Sequence, residues 1–217
     1  MRPVSTVLSI LLFCTVGVTW ASPIIYSVTV DTSSIAGTVG SLDFNFNPGP
    51  LLTQSASLQI LSFMGDGTLS GEPQAAGDVS GGPLPFTVTF GNGAALNDYF
   101  EGFTFGSMIS FDVSLYGPAL SSPDGVSTSG STFAFSMFSD AAGTVPVLTT
   151  DMADGFAFTV NVNLNGTTTV TDFSAQTTIV PVTSGTPEPS YLLLVGASLV
   201  GSFVLHLRRG GRDNRSI

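Results

Sequence analysis

The groups able to do chemistry in this chain are almost all oxygens. Thirteen of its fifteen carboxylic acids lie between Ser22 and Thr186, a stretch with no Lys, Arg, His or Cys. Ser-His-Asp and Cys-His arrangements cannot be assembled from such a set. A Schiff-base lysine, an arginine clamp on phosphate and a zinc site built on His or Cys are excluded as well. Walker and dinucleotide fingerprints are absent. What remains is hard oxygen ligation and paired carboxylates. Asp66 in Gly65-Asp66-Gly67, Asp124 in Pro123-Asp124-Gly125, and Asp151 and Asp154 in Asp151-Met152-Ala153-Asp154-Gly155 are the candidates for a Ca²⁺ site. Calcium takes carboxylate and carbonyl oxygens from loops. None of these runs follows EF-hand spacing, and Asp-Gly is first of all a turn signal. Glu72 and Glu101 are the only glutamates of the stretch and the pair a carboxylate-dependent glycoside hydrolase would need. Tyr26, Tyr99, Phe100, Phe103 and Tyr116 are aromatics on which a sugar ring could stack, although strand spacing also suits them to a core. The reading preferred for the stretch is non-catalytic, with glycan binding as the alternative and hydrolysis behind it.

Charge narrows the partners. All five basic residues sit at the ends, at Arg2, Arg208, Arg209, Arg212 and Arg215, which leaves the middle at a formal −13. Without Lys or Arg to displace counterions, nucleic acid is excluded as a partner of that region. Anionic lipid headgroups are equally poor partners for it, whereas cations and neutral glycans fit. Mean hydropathy is +0.43 while only 9% of residues are charged. Solubility of the middle therefore rests on Ser, Thr, Asn and Gly.

The elements that position these groups read as strands. Alternating apolar and polar residues run through 27–30, 42–46, 57–63, 86–90, 103–105, 109–115, 133–137, 156–162, 167–173 and 177–182. Period two with Val, Ile, Phe and Thr enriched means half-buried strands. Asn47-Pro48-Gly49-Pro50, Gly65-Asp66-Gly67, Gly81-Gly82-Pro83, Gly91-Asn92-Gly93 and Pro123-Asp124-Gly125 punctuate them. Asn165-Gly166 predicts a two-residue hairpin. No helical period occurs between residues 22 and 182. About ten short antiparallel strands predict an all-β domain over 22–182, a β-sandwich or jelly roll with Phe at its inward positions. Residues 183–186 read as a linker.

Both ends read as targeting segments. Arg2, the apolar run Val4 to Val18 and Thr19-Trp20-Ala21 have the order of a signal peptide over 1–21. Small residues at Thr19 and Ala21 put cleavage between Ala21 and Ser22. The one cysteine, Cys14, falls inside this apolar run behind the bulky Leu12 and Phe13, so the exported part has neither disulfide nor thiolate chemistry. At the other end stand Pro187-Glu188-Pro189, an apolar stretch over 190–207, and Arg208, Arg209 and Arg212. Eighteen residues of helix measure about 27 Å, close to the ~30 Å of a bilayer's hydrocarbon core. The stretch is apolar or small on every face until His206, unlike an amphipathic core helix. The arginines behind it favour the cytoplasmic side, which leaves the main domain outside. The two prolines keep Glu188 out of the helix and extended, the form a protease binds.

Pro187-Glu188-Pro189 followed by an apolar helix and an Arg cluster at the extreme C-terminus resembles the PEP-CTERM sorting signal of Gram-negative bacteria. The resemblance covers about the last thirty residues, 187–212 in particular. It implies that the chain is a substrate of exosortase, a membrane-embedded cysteine protease-transpeptidase. It also implies anchoring in the inner membrane before processing, then delivery to the cell surface or to extracellular polysaccharide. Within the middle, Val30-Asp31-Thr32-Ser33, Leu42-Asp43-Phe44-Asn45-Phe46-Asn47-Pro48-Gly49-Pro50 and Phe133-Ala134-Phe135-Ser136-Met137-Phe138-Ser139-Asp140 are similar to a group of PEP-CTERM proteins with no assigned activity. The expected partners are therefore exosortase, the membrane and extracellular polysaccharide, with Ca²⁺ the one candidate cofactor.

Overall fold

The computed structural model describes residues 22–182. Ala21, the linker 183–186, Pro187, Glu188, Pro189, the apolar run 190–207 and Arg208, Arg209 and Arg212 lie outside the described residues. Among the described residues no helix is long and apolar enough to cross a membrane.

The described chain is all-β. Its strands are β1 (Ile24–Asp31), β2 (Val39–Pro48), β3 (Ser57–Gly65), β4 (Thr68–Leu69), β5 (Gln74–Ala76), β6 (Val79–Gly81), β7 (Val88–Gly91), β8 (Asp98–Thr104), β9 (Met108–Tyr116), β10 (Ser131–Phe138), β11 (Phe156–Val162), β12 (Thr168–Asp172) and β13 (Thr177–Val182). One helical turn, α1 (Pro118–Ser121), follows β9, and a 3-10 turn at Ser33–Ile35 follows β1. One sheet runs in the order β13-β1-β9-β3-β7-β6, the other in the order β12-β11-β10-β2-β8-β4, with β5 also on β8. Neighbours within both sheets are antiparallel.

Alternation decides which side chains meet between the sheets. Strand β2 buries Leu42, Phe44 and Phe46 and turns Asp43, Asn45 and Asn47 outward. Strand β9 buries Ile109, Phe111, Val113 and Leu115. Phe111 of the first sheet sits among rings of the second, with centroids 5.4 Å from Phe44, 5.0 Å from Phe135 and 6.4 Å from Phe158. Each such buried side chain contributes about 1.5–3 kcal/mol, which lets a core of this kind form without a disulfide. The sandwich-like pairing of two sheets agrees with the fold class read from the sequence.

Local differences have local causes. The run 86–90 begins as a strand only at Val88, because Phe86 and Thr87 close the preceding turn: the Phe86 N–H bonds Pro83 O at 3.0 Å and the Gly82 N–H bonds Thr87 O at 2.7 Å. Phe86 is left 71% exposed in the turn that precedes it. Strand β8 starts at Asp98, five residues before the run 103–105, because its inward positions include Glu101 as well as Tyr99 and Phe103. A buried acid breaks the apolar period that would have marked the strand. Strands β4, β5 and β6 have two or three residues each and fall in a Gly/Pro-rich stretch with no period to read. The hairpin at Asn165-Gly166 exists between β11 and β12, but its turn is longer than two residues. The Asn163 N–H bonds Thr167 O at 2.8 Å and the Gly166 N–H bonds Asn163 O at 3.0 Å. Gly166 alone has a positive φ, 80°, so the turn needs one left-handed residue rather than two.

Candidate functional site

The two glutamates of the candidate hydrolytic pair have opposite fates. Strand β8 turns Glu101 into the sandwich, where it is fully buried. Its Oε1 accepts the Gly71 N–H at 3.0 Å and its Oε2 accepts the Tyr99 hydroxyl at 2.6 Å. The same hydroxyl oxygen accepts the Leu84 N–H at 2.9 Å. Burial, with the Glu101 carboxyl beside it, pushes the Tyr99 phenol well above its ordinary range. Glu72 lies outside on an exposed loop. Glu101 thus ties the loop at Gly71 and, through Tyr99, the loop at Leu84 to β8, and no sugar can reach its carboxyl. The pair lacks the shared access that two hydrolytic carboxylates require.

The four aspartates of the calcium candidate stand in three separate turns. Asp66 receives the Ser107 hydroxyl at 2.5 Å and the Met108 N–H at 2.9 Å, so it fastens the β3–β4 turn to the start of β9. The Ser107 hydroxyl, followed by the N–H groups of Met108 and Ser107, holds its carboxyl down at about 2. Asp124 accepts the N–H groups of Ser127 at 2.9 Å and Val126 at 3.0 Å, and the Ser127 hydroxyl at 2.7 Å. These bonds lower its carboxyl, the Ser127 N–H most. Asp151 accepts the N–H groups of Ala153 and Asp154, each at 3.3 Å, while Asp154 itself is exposed. Only Asp151 and Asp154 are brought together, and by backbone rather than by facing carboxylates. Among the described residues no three His, Cys, Asp or Glu gather in a metal-binding group. In each turn the oxygens a cation would use already hold backbone in place.

The aromatics meant for a sugar are mostly core. Tyr26 and Phe103 are buried, and the Tyr26 hydroxyl bonds Thr168 Oγ1 at 2.6 Å across the two sheets. Phe100 faces outward from β8 but is half-covered, and a Cβ added at Gly143 would press on its ring. Tyr116, opposite Ser57, is half-buried on the outer face of the first sheet. No two of the five candidates form an open ring platform.

The surface instead offers two open clefts and one carboxyl pair that the sequence did not reveal. An apolar cleft of about 410 Å³ is lined by Phe63, Met64, Leu69, Pro85 and Phe103 with Gly65 and Gly67. A polar cleft of about 320 Å³ lies between Thr53–Ser57 and the Gly91-Asn92-Gly93 turn, with Asp78 on its wall. Asn92 builds that wall. Its Oδ1 accepts the Ala56 N–H at 3.0 Å, and its Nδ2 donates to Gln54 O at 2.9 Å and Ser131 Oγ at 2.8 Å. A methyl at Gly91 would overlap the Asp78 carboxylate, so glycine there keeps the acid against the turn.

The carboxyl pair is Asp43 with Asp98, side by side on the outer face of the second sheet. Asp43 pairs with Phe100 and Asn45 with Asp98 in the β2–β8 register. The two acids are therefore diagonal neighbours. Asn45 Nδ2 donates to Asp43 Oδ1 at 2.7 Å. Burial, and then the contacting Asp98 carboxyl, push Asp43 up to about 8. In the sequence these acids are 55 positions apart, and only strand pairing brings them together.

No known family model, curated protein or solved structure matches the chain.

Proposed function

We propose that the chain is an exported protein of the cell surface or extracellular matrix, sorted through a PEP-CTERM signal and processed by exosortase. The domain then acts by structure and contact rather than by catalysis. One observation carries the reading: Pro187-Glu188-Pro189, an 18-residue apolar run and an arginine cluster stand in that order behind a β domain without one cationic side chain. In this reading 1–21 is a cleaved signal peptide, 22–182 is a β-sandwich or jelly-roll ectodomain, and 190–207 is a membrane helix before processing.

The geometry supports a non-catalytic role. Glu101 is spent inside the fold, and Asp66, Asp124 and Asp151 are spent on turns. Both sheets turn uncharged polar side chains outward, such as Asn47, Thr132 and Asn161 in one and Ser27, Gln59 and Thr89 in the other. Such faces suit contact with neutral polysaccharide or with water, while the thirteen acids of the domain repel nucleic acid and anionic lipid.

Expression of the chain with a tag before the domain, in cells with and without exosortase, tests the sorting. The expected outcome is tail loss and appearance at the surface only where the protease is present, with Glu188→Ala retained in the membrane at full length. A full-length soluble product in the periplasm, or a tail kept in the presence of the protease, overturns the reading.

A further inference from the structure

A carboxyl pair in a domain without a base has to be neutralised by something other than a side chain. Asp43 and Asp98 meet on the outward side of β2 and β8, and the stretch 22–182 contains no Lys, Arg or His. Asp98 Oδ1 is buried with no hydrogen-bond donor, one of two such side-chain atoms among the described residues. A proton on Asp43 meets both conditions: it removes one of the two charges and supplies a donor beside the orphaned oxygen.

The surroundings contribute no competing charge. From β2 the pair faces Asn45, from β8 Phe100, from β10 Ser136 and Ala134 opposite Asp43 and Asn45, and from β5 Ala76 opposite Asp98 and Gln74 opposite Phe100. None of these side chains titrates. The acid nearest along the chain is Glu101, three residues from Asp98, and it faces inward from β8 to the Gly71 N–H and the Tyr99 hydroxyl, while Asp78 and Asp140 are held elsewhere. The Asp78 N–H bonds Asn97 Oδ1, and the Asp140 carboxylate is held by Thr144 and Val145.

Position turns this pair into a device. Strand β8 is held on one side by β2 and on the other only by the two- and three-residue strands β4 and β5. Its inward residues Tyr99 and Glu101 hold the loops at Leu84 and Gly71. We propose that a proton on Asp43, facing the unpartnered Asp98 Oδ1, fastens β8 to β2, and that this edge of the sheet opens as the surroundings turn alkaline. Two ionised carboxylates in contact repel across the ladder, and separating the strands relieves them. Strands β4 and β5, within 68–76, are then released with β8.

The sign follows from proton binding. The closed state holds a proton that the open state releases, so opening is unfavourable in acid and becomes easier as pH rises. The opening equilibrium grows by up to about tenfold per pH unit across the window from roughly pH 4 to pH 8. A domain carried outside the cell meets the pH of its medium directly.

Hydrogen exchange of the full chain in detergent micelles, read by mass spectrometry at pH 6 and pH 9 and corrected for intrinsic rates, tests the device. Protection in β8 and 68–76 is expected to fall with pH while β9 keeps its own. Asp43→Asn and Asp98→Asn each remove the repulsion and are expected to abolish the fall, whereas Asp112→Asn on β9 retains it. A fall unchanged in both Asn variants overturns the proposal, and so does a wild-type β8 that stays in step with β9 at both pH values. Should one Asn variant fail to fold, the other carries the same test.

Discussion

At the scale of single residues, the acids of this domain divide by what their oxygens touch. Those in turns accept several N–H and O–H donors, which favour the charged form. The hydroxyls of Ser33, Ser107 and Thr144 and the Ser127 N–H hold Asp31, Asp66, Asp140 and Asp124 low. A carboxyl lowered in the folded state contributes stability that is complete above its unfolded value near pH 4 and is lost as pH falls through the folded value. For Asp66 that loss runs from about pH 4 down to about 2. Thermal midpoints recorded below pH 4 should therefore fall, and Asp66→Asn should lessen the slope there while lowering the midpoint at pH 7. Tyr99 is a different case, since its hydroxyl serves two buried partners at once. Tyr99→Phe leaves the Leu84 N–H and Glu101 Oε2 without a partner, so the expected loss is about 1–3 kcal/mol for each orphaned group in urea unfolding. An unchanged midpoint would show that water or a rearranged loop replaces the phenol. None of these bonds was readable from the sequence, where Tyr99 suited either a sugar or the core and Glu101 was one half of a candidate acid pair behind the preferred non-catalytic reading. Their inward orientation follows from the start of β8, which a buried acid disguised.

At the scale of elements, the long strands were legible and the short ones were not. Strand β11 at Phe156–Val162 and β13 at Thr177–Val182 coincide with the runs read as strands, both rich in Val, Ile, Phe and Thr. Strand β3 shows how the period bends. Its register shifts between Leu61 and Met64, where Ser62 adopts φ 54°, and the extra residue lets Phe63 join Leu58 and Ile60 in the core. The Asn165-Gly166 turn was found by its dipeptide, but its length depends on the Asn163–Thr167 bonds, which no dipeptide encodes. Gly166→Ala is expected to destabilise the protein by about 1 kcal/mol or more, from the left-handed backbone and from contact with Pro123 and Leu120. Gly91→Ala should cost stability by a separate route, by driving the Asp78 carboxylate off the turn. Unfolding midpoints of the two variants, alone and combined, check both the size and the independence of these effects. In the core, Phe111→Ala removes the ring at the centre of the aromatic cluster, with an expected loss of about 3–5 kcal/mol.

At the scale of the whole molecule, charge is the property that sets this domain apart. With thirteen acids and no cationic side chain between Ser22 and Thr186, side-chain electrostatics there is repulsion alone. Added salt has no side-chain ion pairs to weaken in that region, and it screens the repulsion. Raising sodium chloride from 10 to 150 mM, which shortens the screening length from about 30 to about 8 Å, should raise the thermal midpoint at neutral pH. A midpoint that falls with salt would contradict this account. The sequence made that charge plain, together with the all-β class and the inward Phe residues. What it left hidden was which strands are neighbours, and with that the contact of Asp43 with Asp98.

The pairing of β1 with β13 sets how the domain bears load. Ile25 stands opposite Val182 and Val30 opposite Thr177, so the first and last strands lie side by side and the chain enters and leaves at one end of the sheet. Tension applied between residues 22 and 182 would peel the ladder one rung after another, at low force. The same pull on residue 182, with the grip at the opposite end of the domain, would strain all six rungs of that ladder in shear together. Held at residue 182, the domain would therefore resist a pull on its distal tip and yield readily to a pull on residue 22.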